Sequence, residues 1–464
     1  MLGQLLTYLP AVILARLAGF AVLIGAAHLL DPTSTGLLAL ALLTAELAEG
    51  IFLNWLRIFM LRDGAESGKI SQATARLCFS CWLAGIVAPA LLVAIIGILV
   101  VGPSAAAFIG VVTASVLALS LFKCGLVLLQ MAGRARRHAV LEGTRGLLMA
   151  PLAIWAMFAG ADWIEIAALL AAITGATGLA ALWLARDLIA GTDDHHALPD
   201  MIAMAPPLIG LAALNFLIGS IDRFALGALA SPSAIAPYAT SYALGRQGFD
   251  IATNAVNAGG FPALVAARAR GDRQRLGQQA RLLIGLLLAG YVGLVLMRHD
   301  LSALLLPEEF REEAVTLLPI IGFGALALNL KSGLTDNVLL IDGQYWRQMI
   351  GLSAGAAVAV GMALCLVPAW GGVGAAIGFV TGAVTVLSVS FWQARPHMTL
   401  TFGWAAITRI VSPPITVATT CAGALILLPD ASSGIRLAVA IAVSAPITLW
   451  ALQSRPTEAA PHGG

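Results

Sequence analysis

Tyr238, Tyr242, Arg246, Asp250 and Asn254 follow one another at intervals of four residues, so a helix through this segment carries two aromatic rings, a cation, an anion and an amide along one face. The surrounding sequence is apolar enough to lie in a bilayer. There a charged side chain costs roughly 2.5–3.5 kcal/mol at a helix centre unless it lines a hydrated cavity or meets an opposite charge. The stripe is therefore expected to form one wall of a transport pathway. Further polar groups sit at membrane depth. Glu46, Glu49, Leu53 and Arg57 fall at i, i+3, i+7 and i+11 and share a face, while Asn215 aligns with Asp222. Arg16 and Lys123 interrupt two other apolar runs, and Asp222-Arg223 lies near the outer end of another. Asn329, Ser332 and Asp336 share a face from which Lys331 and Thr335 are rotated by about 100°. Cations in both halves of the chain suit an anionic ligand, because Arg offers a fork of donors and Lys a point charge. The competing reading pairs the charges internally: Arg246 with Asp250 one turn on, Arg57 with a carboxylate of its own span, Asp222 with a cation of a neighbouring helix. Glu46 and Glu49 are the groups that would titrate if movement is coupled to an ion gradient, with H+ or Na+ as the coupling ion.

The elements that position these groups follow from composition. Of 464 residues 59% are hydrophobic and 11% charged, which no soluble domain matches. Apolar runs near 20 residues, the length that crosses a hydrocarbon core of about 30 Å, recur fourteen times. They cover approximately 8–30, 36–59, 77–101, 105–131, 147–161, 164–185, 203–230, 236–266, 282–297, 313–340, 349–368, 373–393, 406–428 and 436–453. Lys and Arg concentrate in alternate gaps, including 133–138 and 268–275, and leave Arg298 and Arg311 almost alone in the others. By the positive-inside rule both termini are expected in the cytoplasm. The basic clusters would then face the anionic inner leaflet. The first run contains Arg16 and lacks a short apolar region before a small-residue cleavage site, so it is expected to remain as a span.

The five cysteines lie within expected spans and read as buried free thiols, and adjacent His195 and His196 diverge too far on a helix to share a metal. No Ser-His-Asp arrangement, Walker A sequence or metal-ligand cluster is evident. Transport without bond chemistry, cofactor or nucleic-acid partner is the expectation. The interruptions 186–202, 267–281 and 298–312 read as linkers. Residues 163–186 and 370–395 resemble each other through an aromatic start, an ITGA or VTGA centre and a Trp-containing end before Arg. A period of six spans fits two related bundles with a site between them. The expected organisation is an N-terminal lobe at 1–190, a cytoplasmic linker at 191–202, a C-terminal lobe at 203–395 and two added helices with a short tail at 396–464. Glycine, alanine and intramembrane proline permit the close packing and kinking that rocking bundles need.

Three stretches carry a family resemblance: IGSIDRFALGALASPSAIAPYATSYALGRQ (218–247), Phe261-Pro262 ahead of a basic loop, and LVPAWGGVGAAIGFVTG (366–382). In order and spacing they resemble the polysaccharide exporters, or Wzx-type flippases, of the multidrug/oligosaccharidyl-lipid/polysaccharide (MOP) flippase superfamily. Arg16, DPTSTG (31–36) and the basic loop 133–146 are compatible with it. The resemblance implies an all-α polytopic protein of the bacterial inner membrane, with about fourteen helices in two pseudo-symmetric six-helix lobes plus two C-terminal helices, like the MATE transporters. It implies alternating-access translocation of a polyprenyl-pyrophosphate-linked oligosaccharide, a precursor of O-antigen, capsule or exopolysaccharide, to the periplasmic leaflet. The expected ligand residues are Arg16, Arg57, Lys123, Asp222, Arg223, Tyr238, Tyr242, Arg246, Asp250, Asn254, Lys331 and Asp336, the tyrosines stacking on sugar rings. Membrane lipids and a polysaccharide polymerase or export machinery are the implied partners. A MATE-type drug antiporter with an anionic cavity and a peptidoglycan-precursor (lipid II-type) flippase are the rivals within the superfamily. A membrane glycosyltransferase or polymerase would need acidic or His residues on a large outer or inner loop, and the longest loops offer no convincing set.

Overall fold

Inside a bilayer the backbone can bond its N–H and C=O groups only within helices or closed barrels, and this chain takes the first route. A computed structural model describes residues 2–67, 72–85, 87–101, 105–132, 134–188, 198–269, 274–342, 344–397 and 404–453. Their regular elements are all helical: α1 (Leu2–Leu29), α2 (Pro32–Phe52), α3 (Asn54–Ser67), α4 (Gln72–Gly85), α5 (Val87–Ile96), α6 (Ala105–Met131), α7 (Ala135–Phe158), α8 (Trp163–Leu184), α9 (Leu198–Leu229), α10 (Pro232–Ala269), α11 (Gln274–Leu296), α12 (Arg298–Leu305), α13 (Glu308–Leu330), α14 (Asn337–Ile341), α15 (Tyr345–Ala394), α16 (Trp404–Leu427) and α17 (Ser433–Gln453). The expected apolar runs fall largely on helix among the described residues, the run 147–161 passing into a turn after Phe158. The protein is an all-α, multi-pass membrane protein. Residues 189–197 of the expected linker, with His195 and His196, lie outside the described residues, as do 270–273 of the second basic run and the tail from 454.

The helices depart from simple spans at five places. The run 36–59 breaks at Leu53 (φ −123°, ψ −19°), which ends α2 and starts α3 three residues after Gly50. The run 77–101 divides into α4, α5 and a π turn at Gly97–Val101. In 313–340, a second π turn at Lys331–Asp336 separates α13 from α14. The spans 349–368 and 373–393 follow one another within α15, whose direction changes at Gly371 (φ 51°), a left-handed conformation that suits glycine, just after Pro368. The expected linker 298–312 is largely helical, as α12 and the start of α13.

Helix starts carry the expected chemistry. Asp31 caps α2 by accepting from the amides of Thr33 (2.9 Å) and Ser34 (3.0 Å). Asp162 and Glu165 form a reciprocal capping box on α8.

The chain divides into two compact units. The first comprises 1–244 with 349–385, so it holds α1–α9, the start of α10 and the middle of α15. Small residues set its packing. A Cβ at Gly178 on α8 would lie 2.7 Å from the Phe122 amide nitrogen of α6, and one at Gly125 would lie 2.6 Å from Ala181 Cβ, so the two backbones approach as only glycine permits. Along α2, a Cβ at Gly36 would meet the Pro232 carbonyl oxygen at 2.0 Å and one at Gly50 the Phe216 ring at 2.2 Å. The second unit comprises 245–348 and 386–464. There α11 packs on α13 and α16, and α17 on α12 and α16, around Met297, Cys421, Ala424, Leu437 and Ala440.

Candidate functional site

The polar stripe of α10 does not behave as one wall. Its first two members belong to the interior of the first unit. Tyr238 is 0% exposed, and its hydroxyl donates to Asp222 Oδ2 at 2.6 Å. The Tyr242 hydroxyl donates to the Gly219 carbonyl at 3.0 Å, and its ring lies edge-on to Phe379 and under the Arg223 guanidinium, whose Cζ is 3.9 Å from the centroid. Arg223 also pairs with Asp222 at 3.4 Å and donates to Gly219 O. The expectation that these rings stack on sugar is corrected: they are covered by protein, and their hydroxyls bond to α9. Asp222 finds its cation on the next residue, not on a neighbouring helix.

The second cluster of this unit gathers around Glu49, whose side chain is 1% exposed. Its Oε2 accepts from Lys123 Nζ on α6 at 2.6 Å, and its Oε1 lies 3.1 Å from Arg57 Nη2 on α3, across the break at Leu53. The same Nη2 donates to Asn54 Oδ1 at 2.7 Å. Two cations thus share one carboxylate. Lys123 keeps 31% of its side chain exposed and Arg57 keeps 14%. Beside them is a cavity of about 10 Å³, lined by Glu49, Arg57, Trp82, Ser120 and Cys124 among others, close to the volume of one water. Arg57 Nε and Trp82 Nε1 are buried N–H groups without an acceptor among the described residues. Glu46, expected on the same face as Glu49, is exposed instead and forms no ion pair among the described residues. Three residues on a helix advance about 300°, which here carries Glu46 past the edge of the packed face.

In the second unit, Arg246 Nε donates to Asp250 Oδ2 at 3.1 Å, and Asp250 Oδ1 accepts from Asn329 of α13 at 3.0 Å. Arg246 and Asp250 keep 31% and 22% of their side chains exposed, and Asn254 is exposed. Lys331 is 3% exposed and pairs with Asp336 Oδ2 at 2.8 Å. On an α-helix these two would stand about 140° apart. The π turn between them takes up the extra residue and brings i and i+5 together. The sequence reading placed them on separate faces, and the π geometry is the reason they meet. Arg16 is exposed in the middle of α1 and has no ion pair among the described residues.

Other polar contacts were not anticipated. Asn257 accepts from Asn337 (2.9 Å) and Gln279 (3.3 Å), and Arg436 at the start of α17 pairs with buried Asp300 of α12, its Nε at 2.9 Å. The Asn and Gln contacts had no charge to mark them. Asp300 sat in a segment read as linker.

No family model matches this chain, and no curated protein matches it in sequence. Solved structures do match in three dimensions. A structure described as the lipid II flippase MurJ in an inward closed conformation superposes with a TM-score of 0.74 at 9% identity, over 97% of this chain and 98% of that one. The chain therefore shares its fold with that structure. A structure described as an inward-facing multidrug resistance MATE family transporter of the MOP superfamily gives a TM-score of 0.62 at 18% identity, over 82% of this chain and 94% of its own. A eukaryotic MATE transporter gives 0.61 at 14%, over 88% and 98%. At such identities the likeness carries the fold alone.

Proposed function

We propose that this protein is a flippase that moves a polyprenyl-diphosphate-linked oligosaccharide from the cytoplasmic to the periplasmic leaflet of a bacterial inner membrane by alternating access. The observation that carries the reading is the Glu49 cluster, where Arg57 and Lys123 converge on one carboxylate and leave a net positive group at membrane depth. Such a surplus is unfavourable in hydrocarbon and favourable beside a diphosphate. Lys123 is the reachable member, and Arg57 supplies further N–H groups behind it. Arg16, exposed on α1 of the same unit, is a further cation for a headgroup whose lipid tail stays in the bilayer.

A second reading within the same class, a lipid II-type precursor flippase, is favoured by the whole-length match to the MurJ structure. A drug antiporter for cations fits less well, because the exposed end of the Glu49 cluster is its cation Lys123 while the carboxylate is covered. Movement of a fluorescent polyprenyl-diphosphate oligosaccharide across proteoliposomes of the purified protein tests the proposal. Transport of that lipid in preference to lipid II and to cationic drugs is the expected result. Transport of lipid II alone selects the second reading, and movement of neither lipid overturns both.

A further inference from the structure

We infer that Glu49 is a built-in stand-in for the substrate's diphosphate, so that binding of the anion displaces the carboxylate and draws a proton onto it. This rests on the proposed reading of the cluster as a diphosphate site. The geometry points to it in three ways. Both carboxylate oxygens are engaged, Oε1 by Arg57 and Oε2 by Lys123 with Arg57 also at 3.3 Å, as two oxygens of a phosphate would be. The carboxylate itself is inaccessible, whereas Lys123 reaches outward, so an arriving anion meets the lysine first. Finally, the adjoining cavity and the unengaged Arg57 Nε give the guanidinium a second direction in which to bond once Glu49 has moved.

The charge balance then dictates the proton. With Glu49 in place the group carries two positive charges and one negative. A dialkyl diphosphate brings two negative charges, and a displaced carboxylate left ionised would face them in a low-dielectric site without a cation of its own. Taking one proton from water onto a Glu49 oxygen leaves the group neutral with its ligand. The ionisable groups around Glu49 are few. Arg57 comes from α3, Lys123 and Cys124 from α6, and Cys78 from α4 across the cavity. Helices α1, α5, α8 and α9 also pack on α2 but contribute no ion pair or hydrogen bond to the carboxylate among the described residues. No other acid among them is bonded to the two cations to take up the proton in its place.

The test is calorimetric titration of the purified full-length protein with a short-chain P1,P2-dialkyl diphosphate, whose own acid groups stay ionised near neutral pH, in two buffers of different ionisation enthalpy. Net proton uptake on binding is expected. Glu49→Gln should abolish that uptake and bind about tenfold more tightly, since the fraction of molecules with a free site no longer limits apparent affinity. Glu49→Asp should retain it. Binding without proton uptake by the wild-type protein overturns the exchange while leaving the diphosphate site intact. Absence of binding overturns both. If Glu49→Gln does not fold, the wild-type titration alone decides.

Discussion

The two polar clusters of the first compact unit use similar residues to opposite ends. Around Asp222 the hydroxyl of Tyr238, the guanidinium of Arg223 and the ring of Tyr242 are engaged with one another or with α9, and the charges cancel. Around Glu49, among the described residues, there are two cations to one anion, an N–H that no protein acceptor meets and a cavity of about 10 Å³. A polar group at membrane depth therefore does not by itself mark a ligand site. The proposed function rests instead on surplus charge with a reachable end, whereas a balanced set of the same residue types holds helices together.

Substitutions can break that contrast. Asp222→Ala should have the largest effect: it leaves the buried Tyr238 hydroxyl and Arg223 without their anion and should destabilise the fold by about 3–5 kcal/mol, read as a loss of monodisperse protein on heating in detergent. Lys123→Ala should do the reverse, reducing transport of the lipid-linked diphosphate about tenfold or more by removing one charge-assisted contact, while the melting temperature moves little because Arg57 still holds Glu49. Similar losses of stability in both variants would show that the clusters do the same job. Gly178→Ala sharpens the comparison from the packing side. Its Cβ meets backbone of α6, so overpacking of about 1–3 kcal/mol is expected, visible in thermal unfolding with substrate affinity unchanged. Tyr238→Phe removes one hydrogen bond to a carboxylate and should cost about 1.5–3 kcal/mol without altering the KM for the lipid.

The smallest effect concerns Asp31 at the start of α2. Hydrogen bonds from the Ser34 side chain and amide, then from Thr33, hold its carboxyl below the usual aspartate range. A group lowered in this way contributes its stability fully above about pH 4 and loses it as pH falls through the lowered value. Asp31→Ala should reduce stability by about 1 kcal/mol at neutral pH, and the difference from wild type should vanish in acid. Melting curves of the two proteins between neutral and acid pH measure it.

Much of this architecture was legible in the chain. Apolar runs near the bilayer's thickness become helices because no other element satisfies their backbone in lipid. Pairings set by α-helical spacing, such as Arg246 with Asp250, were legible too. What escaped was every feature in which the helix departs from 3.6 residues per turn. The pairing of Arg57 with a carboxylate of its own run was foreseen, but not the break at Leu53 across which it forms, and the π turn at Lys331–Asp336 joins residues that α spacing separates. Periodicity assumes a regular helix, so it is silent at such points. It also shows only that a face is polar. That Tyr238 and Tyr242 look into α9 and Glu46 looks outward depends on neighbours distant in sequence.

One consequence follows from the break at Leu53. Arg57 sits on α3 and Glu49 on α2, so their ion pair straps two rods across a joint. Under the proposed exchange, an anion that took the guanidinium for itself would also unfasten the strap, and a change of partners at a single carboxylate would free one rod to swing against the other.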